Sequence, residues 1–126
     1  MTENGMQVEA LKNLVVEILA GMKGHDINVI DVRQLTDVTD YMIIASGTSD
    51  RHVKSMAHQL RDQLREQTGV RPVGVEGDHE GDWVLVDLVD VVVHIMRPQT
   101  RQYYDLERLW NRDVEELVRM NRETKE

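Results

Sequence analysis

The chain has 126 residues, 40% of them apolar and 30% charged, with a formal charge of −8, and that length holds one domain with a real core but not two. It contains no cysteine, which excludes a disulfide framework, thiolate chemistry and Cys-based zinc sites. No apolar run approaches the ~20 residues of a membrane helix, and the acidic balance disfavours a broad phosphate-binding surface, so neither a membrane nor a direct nucleic-acid partner is expected.

The start, Met1-Thr2-Glu3-Asn4-Gly5, lacks the basic-then-apolar order of a signal peptide, so a cytoplasmic location is expected. Met6 to Met22 reads as a first helix, because Leu11, Leu14, Val15, Ile18, Leu19 and Met22 recur at three- and four-residue steps. Gly24 can take the left-handed conformation that ends it. Ile27 to Val32 is a strand, and Arg33 to Asp40 a polar loop. Tyr41 to Ser46 is a second strand, apolar on both faces. Gly47-Thr48-Ser49-Asp50 leads into a second helix, with Ser49 placed to cap it. That helix carries Val53, Met56, Ala57, Leu60 and Leu64 on one stripe and ends at Gly69. Pro72 to Glu76 is a short strand, an edge one because Pro72 starts it.

Trp83 to Leu88 and Val91 to Met96 read as a hairpin turning at Val89-Asp90. Runs this apolar belong near the centre of a sheet. Pro98 breaks the second strand, and Thr100 is expected to cap a helix running through Tyr103, Leu106, Leu109 and Trp110. Residues 111–126 keep helical spacing at Val114, Leu117 and Val118, and read as a helical extension or partly disordered tail of a 1–110 domain. Self-association through that stripe, a homodimer, is compatible with it. The fold class is α/β (α+β), a mixed five-stranded sheet with packed helices.

Few residues present a catalytic pattern. Gly47-Thr48-Ser49 resembles a phosphate cradle but has no adjacent Lys and no GxxxxGK[ST], so a capped turn is the simpler reading. Asp82, Asp87, Asp90 and His94 cluster along the hairpin, with Asp90, Val92 and His94 on one face. They could hold a divalent ion, but a buried network in which Asp90 or a backbone carbonyl satisfies His94 is preferred. Arg51, His52 and Lys54 read as a solvated rim. The aromatics are more informative: four of the five lie at Trp83, Tyr103, Tyr104 and Trp110 in a chain without Phe. Trp and Tyr are favoured contact residues because they bury much area with few rotors. Tyr103 and Trp110 read at least as readily as core anchors.

The segments DYMIIASGTSDRHVKSMA (40–57), VGVEG (73–77), DWVLVDLVDVVVHIM (82–96) and RQYYDLERLW (101–110) together resemble the ribosomal silencing factor family, also called Iojap-like proteins. The resemblance covers about residues 11–110. It implies a nucleotidyltransferase-like fold without demonstrated transferase chemistry. It also implies a non-enzymatic role with no cofactor. The protein would bind the large ribosomal subunit through ribosomal protein fourteen of that subunit. It would block association with the small subunit and repress translation under nutrient limitation. The family's contact positions fall on Trp83, Leu88 and Tyr104, and Val91, Met96 and Arg101 are expected to line the same patch. The alternative is a nucleotidyltransferase-like enzyme using Asp87, Asp90 and a divalent metal. The family carries Gly where this chain has Val89. Because Val resists positive φ, the turn is expected either to avoid the left-handed region or to be rebuilt.

Overall fold

The computed structural model describes residues 7–110. The extension after Trp110, and with it the reading of a homodimer through that segment, lies outside the described residues. The elements run α1 (Val8–Gly21), β1 (His25–Asp31), β2 (Tyr41–Ser46), α2 (Asp50–Thr68), β3 (Gly74–Glu76), β4 (Trp83–Asp87), β5 (Val91–Met96), α3 (Pro98–Tyr104) and α4 (Leu106–Trp110). Among the described residues, no helix is long and apolar enough to cross a membrane.

The strands form one mixed five-stranded sheet in the order β1-β2-β5-β4-β3. β2 pairs with β5 in parallel, from Tyr41 opposite Val91 to Ser46 opposite Met96, and every other pairing is antiparallel. Parallel neighbours need a long connection. Here the chain leaves β2 through α2, reaches the far edge at β3, and returns by two antiparallel steps to place β5 in the middle. The Asp90 carbonyl accepts from the N–H groups of Asp40 and Tyr41 at 3.0 and 3.1 Å, and the Met96 carbonyl accepts from Gly47 N–H at 3.0 Å. The parallel pair is therefore fastened at both ends.

Side-chain alternation sorts the sheet into two faces. Tyr41, Ile43, Ala45, Val84, Val86, Val91, Val93 and Ile95 bury against the apolar stripes of α1 and α2, the larger core. Met42, Ile44 and Met96 face the other way and join Ile30 and Val32 in a smaller cluster, against which Trp83, Leu106 and Trp110 pack. All five α2 positions read as a stripe, Val53, Met56, Ala57, Leu60 and Leu64, are buried. Ser49 caps α2 by accepting from His52 N–H at 3.1 Å, and Gly69 ends it in the left-handed conformation. β3 is an edge strand, as Pro72 suggested.

Three local expectations are corrected. The left-handed turn after α1 falls on Lys23 (φ 63°), not on Gly24. Thr100 does not cap the helix after β5. Arg97 holds the cap position, and Pro98, which needs no N–H partner, opens the first turn. That helix is also not continuous, because Asp105 turns left-handed (φ 50°) and separates α3 from α4. At the hairpin, Val89 does adopt a positive φ, 74°, and Asp90 N–H donates to the Leu88 carbonyl at 3.0 Å. This two-residue-spaced bond around a positive φ is the rarer, strained γ-turn. The Asp87 side chain steadies it by accepting from Val89 N–H at 2.8 Å.

A β-branched residue held there costs on the order of 1–3 kcal/mol, against a glycine entropy cost of roughly 0.5–1 kcal/mol. Val89→Gly is therefore expected to raise unfolding stability by about 1 kcal/mol, read as a higher urea midpoint with an unchanged m-value. A midpoint at or below that of the parent would mean the turn stores no strain.

Candidate functional site

The site grows from the register of the hairpin. Trp83 lies opposite Met96, Leu85 opposite His94 and Asp87 opposite Val92. The pleat puts all six on the face turned away from α1 and α2. The indole Nε1–H of Trp83 donates to His94 Nδ1 at 2.9 Å, with ring centroids 5.8 Å apart. His94 is 5% exposed, and burial pushes its pKa down to about 4. The imidazole is thus neutral at physiological pH, with an Nδ1 lone pair facing the indole and the proton on Nε2. The expected partner for His94 was Asp90 or a backbone carbonyl, and the structure supplies Trp83 instead.

Helix α3 brings the tyrosines. Tyr104 stacks on Trp83 with centroids 4.8 Å apart and a 48° tilt. Tyr103 meets Tyr104 edge-on at 5.0 Å. Tyr103 is 80% exposed and Tyr104 53%, while Trp83 is half-buried. The result is a graded array: a buried histidine, a tryptophan fixed by it, and two rings facing solvent. Offset and edge-to-face geometries are the favoured aromatic contacts.

Polar ties hold α3 in place. Thr100 Oγ1 donates to Asp82 Oδ1 at 2.7 Å. Arg101 grips Glu107 with two hydrogen bonds of 2.6 and 2.9 Å and donates to Ser46 Oγ at 2.8 Å. Asn28 on β1 also donates to Glu107, at 2.8 Å. The Arg101 guanidinium, followed by the Asn28 amide, holds the Glu107 carboxyl below its ordinary pKa. A forked Arg–carboxylate pair fixes orientation as well as distance.

Of the six expected contact residues, the structure keeps Trp83 and Tyr104 at a surface. Leu88 is 3% exposed, and Val91 and Met96 have no accessible surface. In the unbound chain Val91 and Leu88 belong to the core beneath the helices, and Met96 to the smaller cluster against which Trp83 packs. The Arg101 side chain is largely buried in its ion pair and acts as a positioning residue. Tyr103, read at least as readily as a core anchor, is instead the most exposed ring. The signal was available, since its neighbour Tyr104 shares a short helix and both cannot face inward. Half-buried Leu85 and Val92 extend the same face.

The hairpin acids do not gather. Asp82 is engaged by Thr100 and Asp87 by the turn, and no group of three metal-ligating side chains occurs among the described residues. Thr48 N–H, in the loop that resembled a phosphate cradle, donates to His52 Nδ1 at 2.9 Å, and His52 Nε2 donates to the Met22 carbonyl at 2.8 Å. His52 is therefore a tie between α2 and the end of α1, not part of a solvated rim.

A chain carrying this aromatic array can be placed by comparison. The family model described as "Ribosomal silencing factor during starvation" matches residues 6–126. The chain belongs to the ribosomal silencing factor family. It is 46% identical over 105 residues to the ribosomal silencing factor of Chromobacterium violaceum, covering 83% of this chain and 85% of that one. It is 44% identical over 101 residues to the Haemophilus influenzae silencing factor, covering 80% and 98%. Among solved structures, a C. violaceum protein superposes with a TM-score of 0.82 at 44% identity, over 86% of this chain and 89% of that one. The mixed five-stranded fold is shared with these silencing-factor relatives.

Acid should loosen this site. His94 has its pKa lowered by folding, so the unfolded chain binds the extra proton first, and stability present above pH ~6.5 is lost as pH falls toward about 4. The loss is on the order of 3 kcal/mol. Glu107, also lowered by folding, adds a loss in the same direction below its ordinary range. Urea unfolding between neutral pH and pH 4 should show this slope. His94→Asn keeps an acceptor for the indole without titrating there, and should flatten it.

Proposed function

We propose that this silencing-factor chain docks on the large ribosomal subunit through ribosomal protein fourteen of that subunit, using the aromatic array as its contact. In this reading it occupies the intersubunit surface, blocks joining of the small subunit, and represses translation under nutrient limitation. The mechanism is steric and includes no covalent step. A cytoplasmic location goes with it.

The observation that carries the reading is the graded set His94–Trp83–Tyr104–Tyr103: large rings, two of them exposed, with the innermost fixed by a hydrogen bond. Rigid aromatic anchors lose little entropy on binding, which is why they concentrate binding energy. Relatives that share the chain at 46% and 44% identity are named for ribosomal silencing, and that name supports the ribosome as the target. The formal charge of −8 suits a basic protein partner, since opposite fields speed encounter.

The test is subunit joining followed on a sucrose gradient. Excess parent protein should leave separate subunits where untreated samples form whole ribosomes. Tyr104→Ala, a change at an exposed ring, should keep the fold and lose about 2 kcal/mol of binding, roughly thirtyfold. Trp83→Ala should lose at least as much. Normal joining in the presence of excess parent protein ends the silencing reading.

A further inference from the structure

The opposite side of the molecule carries a feature of different chemistry. Lys54, His58, Arg61 and Arg65 follow one another along α2 at steps of four, three and four residues. Those steps place them in one line about 16 Å long on the helix surface. Beside this line runs a groove between α2 and the edge strand β3. One part, of about 350 Å³, is lined by Lys54, His58, Arg61, Val75 and Asp78. It continues into a second part of about 440 Å³, where Arg61 and Arg65 from the helix face Arg71 from the loop before β3. Cations thus stand on both walls.

Carboxylates offset only part of this charge. Asp62 pairs with His58 at 3.1 Å and Arg65 at 3.6 Å, Asp78 sits at the junction of the two parts, and Glu66 and Glu76 are exposed nearby. Lys54, Arg61 and Arg71 form no ion pair among the described residues. A chain of net charge −8 that keeps Lys54, Arg61, Arg65 and Arg71 along one groove has somewhere for a regularly charged anion to lie.

We propose that this groove takes the phosphate backbone of structured RNA. Arg forks match phosphate oxygens in pairs, and Lys54, Arg61 and Arg65 along one line of the helix, with Arg71 across the groove, match a polymer with a charge at every repeat. β3, at the sheet's edge, adds outward-facing backbone groups along the same groove. Because the rest of the chain is acidic, the contact is local, with about four phosphates engaged. It reads no sequence, since nothing here reaches base edges. The ribosome as the source of that RNA rests on the function proposed above. The groove's affinity for RNA does not. It lies on α2, on the far side of the sheet from Trp83, so both surfaces can be occupied at once.

The experiment is fluorescence anisotropy of a labelled RNA hairpin with the full chain, titrated at rising salt. Binding at low salt is expected, with log K falling against log salt at a slope of about −3. Arg61→Gln combined with Arg71→Gln should weaken binding at least about tenfold and reduce the slope by about two, while Lys at both positions retains most of the affinity. Tyr104→Ala should leave RNA binding unchanged while releasing the large subunit, so the two surfaces can fail separately. Three results would overturn the proposal: no RNA binding by the parent at low salt, unchanged binding by a folded Gln pair, or displacement by polyglutamate as effective as by unlabelled RNA, which would mark a site for acidic polypeptides.

Discussion

The pairing of β2 with β5 is the constraint on which the rest depends. Both strands are apolar on both faces, so neither can sit at an edge, and each needs cover above and below. Their parallel alignment forces the chain to travel out through α2 and back through β3 and β4. That route puts α1 and α2 on one face. The other is left to two short helices, of which α4 packs Leu106 and Trp110 against the cluster of Ile30, Val32, Met42, Ile44 and Met96. The thinly covered face is where large rings are left exposed.

The aromatic array follows from that unequal cover. A half-buried indole needs a partner for its N–H, and the neighbouring strand offers a histidine that burial keeps neutral. One unfavourable environment thus serves another: the cost of holding His94 uncharged yields an acceptor that fixes the Trp83 rotamer. Arg101 and Glu107 then set the angle at which α3 presents its tyrosines. The array is built from contacts across three elements, so its rigidity belongs to the sheet and not to a loop.

If both proposals hold, the two surfaces divide the electrostatic problem of an acidic protein meeting a ribonucleoprotein. Net charge governs approach at long range, whereas contact is decided within about a Debye length. The proposed protein contact at the aromatic face and the proposed phosphate contact at the cationic groove are compatible on one small domain because the sheet keeps them on opposite sides. Charge counted over the whole chain hides such a groove, since Lys54, Arg61, Arg65 and Arg71 are outnumbered by acids elsewhere.

Much was legible in the residues alone. Strand β2, the α2 stripe, the Ser49 cap and the hairpin were all set by local rules of alternation, helical spacing and capping chemistry. A two-residue turn at Val89-Asp90 also fixes which residues face each other across β4 and β5. Family membership was legible from the resemblance of the segments between Asp40 and Trp110, which stand in order. The strand order, the bond from Trp83 to His94, and the burial of Leu88, Val91 and Met96 were not legible. They depend on which elements come to cover each face, and that is decided by long-range pairing between segments some fifty residues apart. The positive φ of Val89 is likewise imposed by the closure of the hairpin against the Asp87 side chain, against the residue's own preference. Local chemistry determined the elements, and tertiary packing alone decided which rings reach the solvent.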